Sequence, residues 1–149
     1  MKKARGKLLI RPLTAAEIPE MIEVWKASGL PYKPKGRDSL KNLKTQWNHD
    51  KELFLGAFSE AKLVGVVLAS DDGRRAWINR LAVIPDARRL GVALALVVRA
   101  EKVMRSRGRR LFCVQIEEGN GDSTRFFEEA GYKREDEIFY FTKRELKSY

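Results

Sequence analysis

Apolar positions follow two rhythms along the chain. Some recur at about every 3.6 residues and others form short continuous or alternating runs, which separates helices from strands. Leu8 to Arg11 is the first run and reads as a short strand. Thr14-Ala-Ala-Glu17 has the form of a capping box, and Ile18, Met21, Ile22 and Trp25 follow at helical spacing. A first helix is therefore expected to about Ser28, where Gly29 supplies the stop. A loop rich in Pro, Gly and Lys, Leu30 to Arg37, leads to a second helix from about Ser39, with Leu40, Leu43 and Trp47 on one face. Leu53–Phe58 and Leu63–Ala69 flank Ser59-Glu60-Ala61-Lys62 as the strands of a hairpin, and Asp71-Asp72-Gly73 turns the chain into another β-type run, Trp77–Ile84. Leu90–Arg107 reads as a long helix, apolar almost all round in its first half, which predicts deep burial. Gly108 ends it. Leu111–Ile116 is a further strand, Asp122 or Ser123 caps a helix of about two turns ending at Gly131, and Ile138–Thr142 is expected to close the sheet.

Residues 1–149 are expected to form one domain, since no repeat, low-complexity tract or long linker divides them. Apolar residues at 44% beside charged residues at 34% describe a globular chain rather than a disordered one. The longest apolar run, Val92–Val98, is stopped by Arg99, short of a membrane span. Met1 to Lys7 is basic like the start of a signal peptide, but Leu8-Leu9-Ile10 is cut off by Arg11-Pro12, so no signal peptide is expected and a cytoplasmic location is the default. The single Cys113 precludes an internal disulfide, and with His49 the only histidine there is no zinc-ligand spacing, so no metal is expected.

The net charge of +10 is uneven: Arg88 to Arg110 holds eight basic residues against Glu101, and Glu117 to Glu137 holds eight acidic against three basic. A basic band suits a ligand with several phosphates, or nucleic acid. No nucleic-acid motif accompanies it and its Lys and Arg residues are not interleaved with aromatics, so nucleic acid is set aside as a minority reading.

The segment Trp77–Leu96 carries the most chemistry. A strand ends at Pro85-Asp86, and after a short basic loop Arg88-Arg89-Leu90-Gly91-Val92-Ala93 opens a helix. The first turn of a helix has unpaired N–H groups with the helix dipole behind them, a site for a diphosphate. Gly91 and Ala93 are small enough for a bulky anion to approach the backbone, and Arg88 and Arg89 add charge. Taken alone, Gly91 and Ala93 fit an ordinary strand–turn–helix connection as well.

The spacing Arg88, Gly91, Ala93 resembles the acyl-CoA-binding signature of the GNAT superfamily (Gcn5-related N-acetyltransferases). In that family it follows a strand ending like Leu81-Ala82-Val83-Ile84-Pro85. Asn120, Phe126-Phe127 and Gly131-Tyr132 follow in the family's order, and the resemblance spans about residues 8–143. It implies an α+β fold in α/β/α layers, with a mixed, mostly antiparallel sheet whose fourth and fifth strands splay apart. It implies acetyl-CoA as cosubstrate and direct transfer to a primary amine in a ternary complex. Leu81, Ala82 and Val83 would lie along the pantetheine arm, the Val83 N–H pointing at the thioester oxygen. Arg88, Arg89, Leu90, Gly91, Val92, Ala93 and Leu94 would hold the diphosphate, and Asn120 the pantetheine amide. Tyr32 and Arg37 belong to the segment Leu30–Leu43 that lines the acceptor side, where Lys33, Lys35, Arg37 and Lys41 favour an acceptor bearing carboxylate or phosphate, or an amine on an acidic peptide or protein.

The chain departs from this pattern at two positions. Phe127 stands where the family usually has a Tyr acid near the sulfur, and Gln115 where some members carry a Glu base. Two readings of Glu117 stand: a base acting through water, or a solvated strand-end charge. Asn120 between Gly119 and Gly121 also suits a turn. Tyr32, Tyr132 and Tyr140 are other sources of a hydroxyl, Cys113 reads as structural, and His49 as a surface residue in a polar loop. These departures keep open a second function, an acyl-CoA-binding sensor module with little turnover. Monomer and homodimer are both compatible with the sequence.

Overall fold

The computed structural model describes residues 7–149, so nearly all of the basic opening stretch lies outside the described residues. The chain runs through β1 (Leu8–Pro12), α1 (Ile18–Ser28), α2 (Leu40–His49), β2 (Phe54–Ser59), β3 (Lys62–Asp71), β4 (Ala76–Val83), α3 (Val92–Ser106), β5 (Phe112–Val114) and α4 (Gly121–Glu129). Local chemistry accounts for the boundaries. The Thr14 N–H donates to Glu17 Oε1 at 2.8 Å before α1, and Gly29 ends that helix at φ +81°. Ser39 Oγ accepts from the Asn42 N–H to cap α2. Glu60 and Ala61 take positive φ in the two-residue hairpin between β2 and β3.

The sheet order is β1-β2-β3-β4-β5, antiparallel except for the parallel β4–β5 pair. β3 is central and buried from Leu63 to Ala69 because both its faces are covered. Leu63, Val66 and Leu68 pack with Ile18, Met21, Trp25 and Leu43 of α1 and α2. Val64, Val67 and Ala69 pack with Leu96, Val97, Ala100 and Met104 of α3, and Phe127 of α4 joins that side. The result is the α/β/α layering expected of the family resemblance. A Cβ on Gly65 would lie 2.8 Å from Val92 Cγ1 and 3.2 Å from Leu96 Cδ1, so the absence of a side chain on β3 lets the first turn of α3 sit directly on the sheet.

Several expectations are corrected. Ile138–Thr142 forms no strand, and Ile138, Phe139, Tyr140 and Phe141 are all more than 70% exposed. Four consecutive apolar residues would need cover on both faces of a strand, and the three residues of β5 offer little ladder to pair with. Leu111, Gln115 and Ile116 fall outside β5: the ladder to β4 spans only Phe112–Val114, with the Leu111 carbonyl accepting from the Ala76 N–H at its edge. In α3, Leu94 and Val98 are about half exposed, because the sheet covers one side of a helix whose apolar residues run most of the way round. Asn120, rather than Asp122 or Ser123, caps α4, and His49 is the last residue of α2 rather than part of a loop.

Part of the C-terminal half of the basic band is paired within the fold. Arg107 bonds Asp50, Glu52 and Asp71, Arg109 bonds Asp71, and Arg105 pairs with Glu101. Arg109, opposed by partial burial, holds the Asp71 carboxyl down at about 2. Among the described residues no helix is long and apolar enough to cross a membrane.

Candidate active site

β4 and β5 pair only at Ala76–Phe112, Trp77–Cys113 and Ile78–Val114, then part. From Asn79 to Val83, β4 is bonded to β3 alone, so its other edge opens into a gap. The Ile84 N–H donates to the Val64 carbonyl, and Ala82 stands opposite Val66. Because bonded pairs alternate along an antiparallel ladder, Val83 presents its N–H and C=O away from β3, on the gap side. Arg88 Nε donates to that C=O at 3.3 Å, which leaves the Val83 N–H facing the gap. Leu81 shares a bulge with Arg80 opposite Val67 and is half-buried, while the Ala82 and Val83 side chains pack into the two cores. Backbone chemistry and core packing thus coexist in the same residues.

The gap leads to the start of α3. Arg89 and Gly91 both have left-handed backbone, at φ +66° and +80°, and Gly91 is the N-cap. The N–H groups of Val92, Ala93 and Leu94 have no intrahelical partner and find none elsewhere among the described residues. Arg89, Leu90, Gly91 and Leu94 are exposed and Val92 is buried beneath them. The two arginines divide. The Arg89 side chain has no hydrogen-bond partner among the described residues, but Arg88, though exposed, lies along the surface toward α1, its Nη2 donating to the Ser28 carbonyl at 3.1 Å. Arg88 therefore ties the loop to β4 and to the end of α1 through two backbone carbonyls.

Between β5 and α4, Asn120 is exposed and its Oδ1 accepts from the Ser123 N–H at 3.1 Å, leaving its amide N–H₂ as a donor without a partner among the described residues. Its turn role and an amide contact to a ligand use different atoms. Glu117 is exposed and lies beyond the end of β5, so the strand alternation that would aim it with Cys113 and Gln115 does not extend to it. Burial pushes the Cys113 thiol up, away from the reactive thiolate. Tyr132 donates to Glu101 Oε2 at 2.7 Å, and burial raises its phenol further, so this hydroxyl is committed to α3. Tyr140 is exposed in the C-terminal segment.

Phe127 is 5% exposed, with Phe126 and Tyr132 edge-on to its ring at 4.9 and 5.2 Å. Phe127→Tyr would place a hydroxyl among these apolar neighbours. An unsatisfied buried hydroxyl costs about 1–3 kcal/mol, so a lower Tm with unchanged kcat is expected. An unchanged Tm with a higher kcat would instead show that the ring edge reaches the gap.

In the Leu30–Leu43 segment, Tyr32 is half-buried against Trp25, ring centroids 5.9 Å apart. Arg37 is exposed and shares with Lys143, Arg144, Tyr140 and Tyr149 a cavity of about 390 Å³ between the Leu30–Leu43 segment and the C-terminal segment. The two segments touch: Gly36 lies against the Ser148 backbone with no room for a side chain, and Asn42 Nδ2 donates to Tyr149 Oη at 3.3 Å. Arg80 escapes a reading of the sequence. A charge inside the apolar run of β4 demands a partner, and that partner, Asp38, lies 42 residues away.

The sequence matches the acetyltransferase (GNAT) family over residues 18–132. It is 33% identical over 131 residues to an acetyltransferase of Yersinia enterocolitica, covering 87% of this chain and 90% of that protein. It is 30% identical over 137 residues to an acetyltransferase of Sodalis glossinidius, covering 91% and 94%. The fold matches that of the PaiA N-acetyltransferase from Thermoplasma acidophilum, solved with coenzyme A, at a TM-score of 0.79 and 23% identity, covering 87% of this chain and 92% of that one. The strand parting, the helix start beside it and these relatives agree: the chain belongs to the GNAT family and is an N-acetyltransferase.

Proposed function

We propose that the protein transfers the acetyl group of acetyl-CoA to a primary amine by direct attack in a ternary complex. The observation that carries this reading is the open edge of β4, where the free Val83 N–H borders a gap leading to three unpartnered N–H groups at the start of α3. This donor set fits a ligand with a carbonyl at one end and a diphosphate at the other.

Acetyl-CoA, when bound, supplies the acyl group as a thioester. The Val83 N–H then polarises its carbonyl, with Leu81 and Ala82 lining the same edge. Val92, Ala93 and Leu94 N–H groups, with Arg89, Leu90 and Gly91, hold the diphosphate. Arg88 braces the loop. Asn120 donates its side-chain N–H₂ across the gap, and Phe127 backs α4. Glu117 takes the amine proton through water, because beyond the end of β5 it is exposed and no strand geometry brings it directly to the amine. No acid is needed at the sulfur, because a thiol of pKa about 8.5 leaves tolerably as thiolate at neutral pH. The amine enters past Tyr32, and Arg37 with Lys143 and Arg144 favours an acceptor carrying carboxylate or phosphate.

The test is thiol release from acetyl-CoA against a panel of primary amines, with anionic and uncharged members matched in size. Release with at least one amine, with lower KM for the anionic partner, is the expected result. Coenzyme A binding without thiol release across the panel would overturn the reading in favour of an acyl-CoA sensor.

A further inference from the structure

We infer that Arg80 is a positioning residue for the acceptor side: it clasps the Pro31–Asp38 segment to β4 and, by occupying Asp38, keeps Arg37 free for an anionic acceptor. The inference rests on the proposed reading only in taking that segment to line the acceptor.

The β4 bulge is where the clasp begins. Asn79 faces Leu68 and Ala82 faces Val66, so Arg80 and Leu81 together oppose Val67. Arg80 adopts φ +46°, a backbone region that residues with a Cβ avoid. Its side chain is held from three directions. Nη2 donates to Asp38 Oδ2 at 2.8 Å, Nη1 donates to the Pro31 carbonyl at 2.9 Å, and the guanidinium lies 4.5 Å over the Trp25 ring. Nε is buried without a partner among the described residues, so this packing is kept despite an unmet donor.

Asp38 organises the other half. It is 8% exposed, its Oδ2 also accepts from the Lys33 N–H at 2.8 Å, and its own N–H donates to the Lys33 carbonyl, closing residues 33–38 into a loop. Arg37 Nε lies 3.9 Å from that same oxygen. Two guanidinium groups thus border one carboxylate. Arg80 makes the short bond from a side chain 20% exposed, while the Arg37 side chain stays 48% exposed and loosely associated. Without Arg80, a nearly buried carboxylate would lose its counter-charge, and the nearest replacement is Arg37. The cation that serves the acceptor would be drawn inward.

The experiment compares Arg80→Met, Arg80→Lys, Arg37→Ala and the double variant Arg80→Met/Asp38→Asn with the native enzyme, using the best anionic amine and its uncharged analogue. Losing charge-assisted bonds of this kind predicts a rise of about tenfold or more in KM for the anionic amine after Arg80→Met. The uncharged analogue should change far less, and coenzyme A affinity by less than about twofold, since Arg80 adds no donor to the gap. Arg80→Lys should recover only part of the effect, because one ammonium cannot reproduce a fork spanning Pro31 and Asp38, and it serves as the test if Arg80→Met does not fold. Adding Asp38→Asn should release Arg37 and restore part of the preference for the anionic amine. If Arg37→Ala raises the anionic KM but Arg80→Met affects both amines equally or neither, the clasp is wrong. If Arg37→Ala changes nothing, the acceptor reading fails instead. The clasp is then judged by tryptic cleavage at Lys35–Gly36 and Arg37–Asp38, which should speed up about tenfold in Arg80→Met. Unchanged cleavage would overturn it.

Discussion

Gly91→Glu is expected to raise the Kd for coenzyme A by about a hundredfold or more while leaving the free protein folded. Gly91 is the N-cap of α3 at φ +80°, and a Cβ there would meet nothing within 4 Å. The site thus has room for a side chain, and the backbone alone resists, at about 1–2 kcal/mol for a residue with a Cβ. Gly91→Ala isolates that cost. Glutamate adds a carboxylate beside the Val92, Ala93 and Leu94 N–H groups, where the helix dipole favours negative charge. The carboxylate would take up those donors itself, recovering part of the strain and competing with the diphosphate. In a thermal-shift titration the free Gly91→Glu protein should melt close to Gly91→Ala, and added acetyl-CoA should raise Tm in the alanine variant only. A glutamate variant that keeps native affinity would place the diphosphate elsewhere.

Trp25 carries the second large effect. It is fully buried in the core between the sheet and α1, supports Tyr32, and forms the floor under Arg80. Trp25→Ala is expected to cost about 3–5 kcal/mol, measured by denaturant unfolding, because the site cannot collapse around so large a loss. Trp25→Phe discriminates packing from hydrogen bonding. The indole Nε1 is buried without a partner among the described residues, so phenylalanine keeps a ring and removes an unmet donor. Its cost should stay within about 1.5 kcal/mol. A penalty as large as that of alanine would show that the indole N–H has a bonded partner, such as an ordered water.

Features set by neighbours in sequence could be read from it. The Thr14–Glu17 cap, the Gly29 stop, the hairpin across residues 59–62 and the passage from β4 into α3 depend on residues within a turn of each other. All appear in the structure. Features set by distant partners could not. Ile138–Phe141 has strand-forming residues, but a strand requires an edge, and β5 stops at Val114. Leu94 and Val98 look like core residues in any helical count, yet exposure depends on how much of the helix the sheet covers. At the site, small residues at 91 and 93 mark the helix start, whereas the course of the Arg88 side chain depends on the carbonyls of Val83 and Ser28. Arg80 needed Asp38, and no local pattern links them.

The three-residue seam between β4 and β5 also bears on how the molecule holds together. β1 to β4 share long antiparallel ladders, and the amides bonded within those ladders should open to exchange only in large unfolding events. β5, at the end of the sheet order, is joined by three pairs, so its amides are free to open in smaller, cheaper excursions. A ligand that pairs with Val83 on one bank and Asn120 on the other would stitch the weak unit to the strong one. With such a ligand bound, part of the folding cooperativity that the short seam omits would be supplied by the cosubstrate.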